Sequence, residues 1–154
     1  MTFTTFDVLD NIVDLLKNDW ITEFGKRPSI VKQYTETVRG NVMAQNPEDI
    51  LVRVDTERSE PFDLGAANAD ILYHNTTLVS IDVYTNEDDK RMNQLASAIH
   101  TILKQNVSQT GVDFKYRRIR LGETQNLSDR IRKQWRMVID VIVETYQINI
   151  RHNK

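Results

Sequence analysis

Cysteine is absent from the 154 residues, which excludes a disulfide framework, a thiolate zinc site and a cysteine nucleophile, and leaves packing alone to hold the fold. Glycine is scarce, at five residues. None of them forms a Gly-rich phosphate loop or a Gly-x-Ser-x-Gly turn, so nucleotide-binding and serine-hydrolase readings drop out. No apolar run reaches the roughly 18 residues of a membrane helix. Met1 to Asp10 carries neither a basic n-region nor an apolar h-region, which predicts a soluble chain without an export signal. Neither sign of charge dominates: 20 Lys+Arg against 22 Asp+Glu give a formal net charge of −2, too even for the whole molecule to attract nucleic acid.

What is present is periodicity. Leu9, Ile12, Val13 and Leu16 recur at helical spacing with Asn11, Asp14 and Lys17 between them, which predicts an opening helix capped by Thr4 or Thr5 and anchored at its end by Trp20. Gly25 and Pro28 break that pattern, and 29–47 shows no period. Residues 50–54 read as a short strand, and the polar stretch from Asp55 to Asn68, with Pro61 and Gly65, as a long loop. Val79, Ile81 and Val83 alternate with Ser80, Asp82 and Tyr84, the pattern of a strand with one buried face. Asn86 as cap, acidic Glu87, Asp88 and Asp89, and the spacing of Met92, Leu95, Ala96, Ile99, Ile102 and Leu103 predict a helix over 87–105.

A turn at 106–113 is expected next, then a basic strand over 114–121 with Phe114, Tyr116 and Arg118 on one face and Lys115, Arg117, Ile119 and Leu121 on the other. Residues 122–133 read as a polar connection. The run 135–148 reads as a long strand whose second face bears Arg136, Val138, Asp140, Ile142 and Glu144. This order implies an α+β fold: a mainly antiparallel sheet of about four strands with two or more helices packed on one face. A single domain is expected over 1–154, made of an N-terminal helix and irregular segment (1–47), a sheet with its helix (48–148) and a tail (149–154).

Histidine offers no metal motif, because His74, His100 and His152 lack a ligand at i+3 or i+4. The one acidic constellation is Asp63, Asp70 and Asp82, which could serve a magnesium-dependent nuclease of the restriction-endonuclease type. That chemistry also wants a lysine two residues after the acid, and Tyr84 stands there. No catalytic residue, metal ligand or cofactor is therefore assigned, and the chain is read as a structural or binding component. The prominent feature is charge segregation: Lys115, Arg117, Arg118, Arg120, Arg130, Arg132, Lys133 and Arg136 fall within 22 residues that hold only Glu123 and Asp129 as acids. Such a cluster can follow a phosphate backbone, as in a DNA-contacting head–tail adaptor using Arg117, Arg120 and Arg132. It can equally pair with an acidic patch such as Glu87, Asp88 and Asp89 on another copy.

Taken together, Glu60-Pro61-Phe62-Asp63-Leu64-Gly65, the run Val79-Ser80-Ile81-Asp82-Val83-Tyr84-Thr85 leading into a helix, Leu127-Ser128-Asp129-Arg130 and Trp135-Arg136-Met137-Val138-Ile139-Asp140-Val141 resemble the tail terminator, or tail completion, family of long-tailed viruses. The resemblance covers about 48–146 and rests on element order. It implies a virion protein of the tail or neck, assembled in the host cytoplasm. Copies would form a ring, commonly of about six, that ends the tail tube and joins it to neck or connector proteins, with genome DNA passing through the lumen unread. Interface residues are expected at Pro61, Phe62 and Leu64 in the long loop, at Glu87, Asp88 and Asp89, and at Lys115, Arg117, Arg120, Arg130, Arg132 and Arg136.

Overall fold

The computed structural model describes residues 8–32, 47–62, 71–110, 116–129 and 131–149. The elements in chain order are α1 (Val8–Asn18), a 3-10 turn (Thr22–Phe24), β1 (Ser29–Lys32), β2 (Glu48–Phe62), β3 (Ile71–Thr85), α2 (Asp89–Gln105), β4 (Ser108–Thr110), β5 (Tyr116–Asn126) and β6 (Trp135–Asn149). They build one six-stranded sheet in the order β1-β2-β3-β6-β5-β4. The α+β class is as expected. The four long strands β2, β3, β5 and β6 are mutually antiparallel neighbours. Two short edge strands were not foreseen, and β1 pairs parallel to β2, so the sheet is mixed. Strands of four and three residues are too short for alternation to register in a sequence.

Period-two patterning decides which face is buried. In register, Val52 lies beside Ile81 and Ile81 beside Ile139, while Val79 meets Val141 and Val143 meets Ile119. All of these are buried, and both helices pack on this face: α1 over β1 and β2, α2 over β3, β5 and β6. Ile12, Val13 and Leu16 of α1 and Met92, Leu95, Ile99, Ile102 and Leu103 of α2 complete the same core. Each such side chain contributes about 1.5–3 kcal/mol on burial.

Three boundaries differ from expectation. The segment 55–62, read as loop, is strand: after a bulge between Val54 and Thr56, Thr56 to Phe62 pair with Leu78 to Leu72. Asp55 to Glu60 are exposed, so neither face shows a buried alternation and only the pairing makes them strand. The remainder of that loop, 63–70, lies outside the described residues, as do the Thr4 and Thr5 caps. β5 likewise continues to Asn126 across a bulge between Leu121 and Thr124. Finally, α2 starts at Asp89 with Asp88 as its cap, whose carboxylate accepts the Arg91 N–H at 2.7 Å. Asn86 does not cap the helix: it lies in the bend between β3 and α2, where its N–H donates to the Pro47 carbonyl.

The turn before β1 depends on one glycine. Gly25 has φ 80° and ends the 3-10 turn, and a Cβ there would stand 2.6 Å from the Arg91 Nη1. Gly25→Ala is therefore expected to cost about 1–3 kcal/mol, read as a lower urea midpoint in equilibrium denaturation.

Candidate functional site

The sheet face opposite the helices carries three of the residues that the sequence marked as functional, Asp82, Arg120 and Arg136. Across β2, β3 and β6 its rows are Asp49–Tyr84–Arg136, Leu51–Asp82–Val138 and Arg53–Ser80–Asp140. Asp82 is the residue on which a nuclease would depend, and its side chain is only 3% exposed. Arg136 grips it with a fork: Nε lies 2.9 and 3.0 Å from the two carboxylate oxygens and Nη2 lies 2.6 Å from one of them. Hydrogen bonding to Asp82 raises the Arg136 guanidinium above its usual value, against the opposing effect of burial. Both oxygens that a cation would need are thus held by a guanidinium. Asp63 and Asp70 lie outside the described residues. Among the described residues, no three His, Cys, Asp or Glu side chains are grouped to hold a metal ion.

Beside this pair, the Ser80 hydroxyl faces two carboxylates, Asp55 and Asp140, and Arg53 Nε is 3.3 Å from Asp55. Further along, Arg120 Nη2 is 2.9 Å from Glu144. The charges of this face are largely paired across adjacent strands or beside a bulge. Its interstices hold Leu51, Leu78 and Ile142, which are half-buried.

The basic cluster does not survive as one surface. Arg117 was expected to contact a partner or a phosphate backbone, yet it is 2% exposed and lies on the helix-covered face. Its guanidinium donates to Asn11 Oδ1 of α1 and, at 2.8 Å, to the carbonyl of Asn106 that caps α2. No carboxylate pairs with it among the described residues, and burial holds it below its usual pKa. It is a strut between the helices and the sheet. The reason is parity: Arg117 shares its face with Ile119, which is core.

Arg136 is spent largely on Asp82, with 37% of its side chain exposed. Arg120 and Arg132 do lie at the surface, as do Glu87, Asp88 and Asp89 at the start of α2. Because Thr85 pairs with Trp135, the acidic helix start and the β5–β6 turn carrying Arg132 leave the same end of the sheet. Pro61 and Phe62 close β2 at the opposite end. Leu64, Lys115 and Arg130 lie outside the described residues. Of the histidines, His100 approaches Thr124 Oγ1 at 3.4 Å, and burial, with Lys104 second, lowers its pKa. His74 is half-buried opposite Glu60.

The sequence did not single out Arg91 and Glu48. Arg91 is buried, its Nε and Nη2 2.6 and 2.8 Å from the two Glu48 oxygens, and it also donates to the carbonyls of Phe24 (3.0 Å) and Lys26 (2.6 Å) and to Gln94 Oε1 (2.8 Å). Thr85 Oγ1 donates to the same Glu48 at 3.0 Å. One guanidinium thereby joins α2, β2 and the turn before β1. A signal existed, because Arg91 stands at i−4 and i−11 of buried Leu95 and Ile102, on the apolar stripe of α2.

No protein-family model matches the chain, and no curated protein matches it.

Proposed function

We propose that this chain is a virion structural protein that forms a ring closing the end of a viral tail tube and joining it to the neck. The observation that carries this reading is the open face of the sheet. It sets half-buried Leu51, Leu78 and Ile142 between charges, and its Asp82–Arg136, Arg120–Glu144 and Arg53–Asp55 charges are already paired. Such a surface suits contact with protein better than capture of phosphate, because paired guanidiniums have little affinity left for a second anion. The acidic start of α2 and the basic β5–β6 turn leave the same end of the sheet, which lets unlike charges meet between copies standing side by side. The fork on Asp82 weighs against a magnesium nuclease. Burial of Arg117 weighs against a DNA-contacting adaptor built on Arg117, Arg120 and Arg132.

In this reading the partners are further copies of the chain, the tube protein on one side and neck proteins on the other, with DNA passing through the lumen. Mass photometry of the purified protein, with negative-stain images of tail tubes incubated with it, tests the proposal. The expected result is a closed oligomer, commonly of about six copies, seated on tube ends. A strict monomer at high concentration that leaves tube ends bare overturns it.

A further inference from the structure

The turn between β5 and β6 presents a side chain that the fold does not use. Ile131 is 95% exposed and Leu127, at the foot of the same turn, is also exposed. A lone exposed apolar residue needs no explanation, but this one is held in place. Asp129 Oδ1 accepts the N–H of Ile131 at 3.1 Å and of Arg132 at 3.3 Å. The backbones of Asp129 and Gln134 exchange hydrogen bonds of 2.7 and 3.0 Å, and Lys133 takes the left-handed conformation, φ 53°, that closes the turn. The result is a pre-ordered knob with Ile131 at its tip and, beside it, the exposed cations Lys133 and Arg132, the latter in a loose, solvent-exposed contact with Asp129 at 3.7 Å. A contact made through such a knob loses little conformational entropy on binding.

A surface of matching character exists on the same chain. Trp20 and Phe24 stack edge to face with centroids 5.6 Å apart, Trp20 Nε1 donates to the Gly25 carbonyl at 3.1 Å, and Ile21 beside them is 46% exposed. Glu23 is exposed next to this platform. The Arg91–Glu48 clip fixes the platform through the Phe24 and Lys26 carbonyls. Knob and platform leave the same end of the sheet, since Glu48, Thr85 and Trp135 form its terminal row. The platform is held by Arg91 of α2 and, through it, by Glu48 of β2, while the knob joins β5 to β6. Two unlike patches on one chain can make a head-to-tail contact, which closes into a ring when the rotation per copy allows it.

We infer that the Ile131 knob of one copy docks on the Trp20–Ile21–Phe24 platform of the next, with Arg132 facing Glu23. This rests on the ring reading and names the contact that would build the ring. Because the chain has no cysteine, Ile21→Cys and Ile131→Cys can be introduced without background, and both sites are exposed enough to leave the fold intact. The double variant is oxidised after assembly and run on a denaturing gel, with each single variant as a control and mass photometry of the unoxidised wild type alongside. The expected result is a covalent ladder from the double variant that ends at the copy number of the wild-type ring, and no species beyond dimer from either single variant. Rings in the wild type without a ladder overturn the contact and leave the ring reading standing. A monomeric wild type overturns both.

Discussion

Arg91→Met is expected to destabilise the fold by about 3–5 kcal/mol at neutral pH, the loss that follows when one partner of a buried ion pair is removed and the other stays. Methionine keeps most of the side-chain volume, so packing changes little. What remains is Glu48 with the hydrogen bond from Thr85 Oγ1, and the Phe24 and Lys26 carbonyls without the guanidinium that satisfied them. Urea denaturation followed by circular dichroism measures the effect, and a change under about 1 kcal/mol would show that the clip is not a principal support.

The same pair has a pH signature. Hydrogen bonding from Arg91 is the largest influence on Glu48 and lowers its pKa from the ordinary 4.5; burial opposes this, and Thr85 and the Arg91 charge lower it further. A depressed carboxylate adds stability that is fully present above its unfolded value and is lost as pH falls through the folded value. The clip is thus expected to hold at neutral pH and to weaken below about pH 4.5. Glu48→Gln should be less stable than wild type at neutral pH, with the gap narrowing in acid.

Arg117 should behave differently although it is as deeply buried. Arg117→Ala is expected to cost about 2–5 kcal/mol, as for other large-to-small changes in a core, because it empties the space between α1, α2 and the sheet. Arg117→Met is expected to cost less than about 1.5 kcal/mol. No carboxylate is stranded by that change, and Asn11 and Asn106, both half-buried, remain within reach of water. Unfolding of the two variants side by side checks this. A methionine variant as unstable as the alanine variant would mean that the guanidinium hydrogen bonds, rather than the volume, hold the helices. Neither Arg117 variant is expected to alter assembly of the folded protein, since the side chain does not reach the surface.

The two arginines also show what a sequence can and cannot disclose. Both lie on the buried side of a regular pattern: Arg91 among Leu95, Ala98 and Ile102, Arg117 beside Ile119. Periodicity places them inward, yet composition groups Arg117 with a basic surface cluster, and in this fold periodicity prevails. Asp82 illustrates the converse. Alternation puts it on the face away from the core, where a solvated carboxylate is expected, but Arg136 comes from a strand 54 residues later and closes over it.

Apolar spacing along the chain is enough to set the secondary-structure period of the long elements, hence the α+β class, the helix-facing sides of β3 and β6, and both helices. Those signals are local, written in the spacing of apolar side chains over two or three turns or five or six strand residues. Tertiary structure decided the rest. It made strand of the polar stretch 55–62, through pairing with β3; it set β1 parallel beside β2; and it chose which charges meet. Strand pairing and ion-pair partnership depend on contacts between residues far apart in the chain, and no short window of sequence contains both members of such a contact.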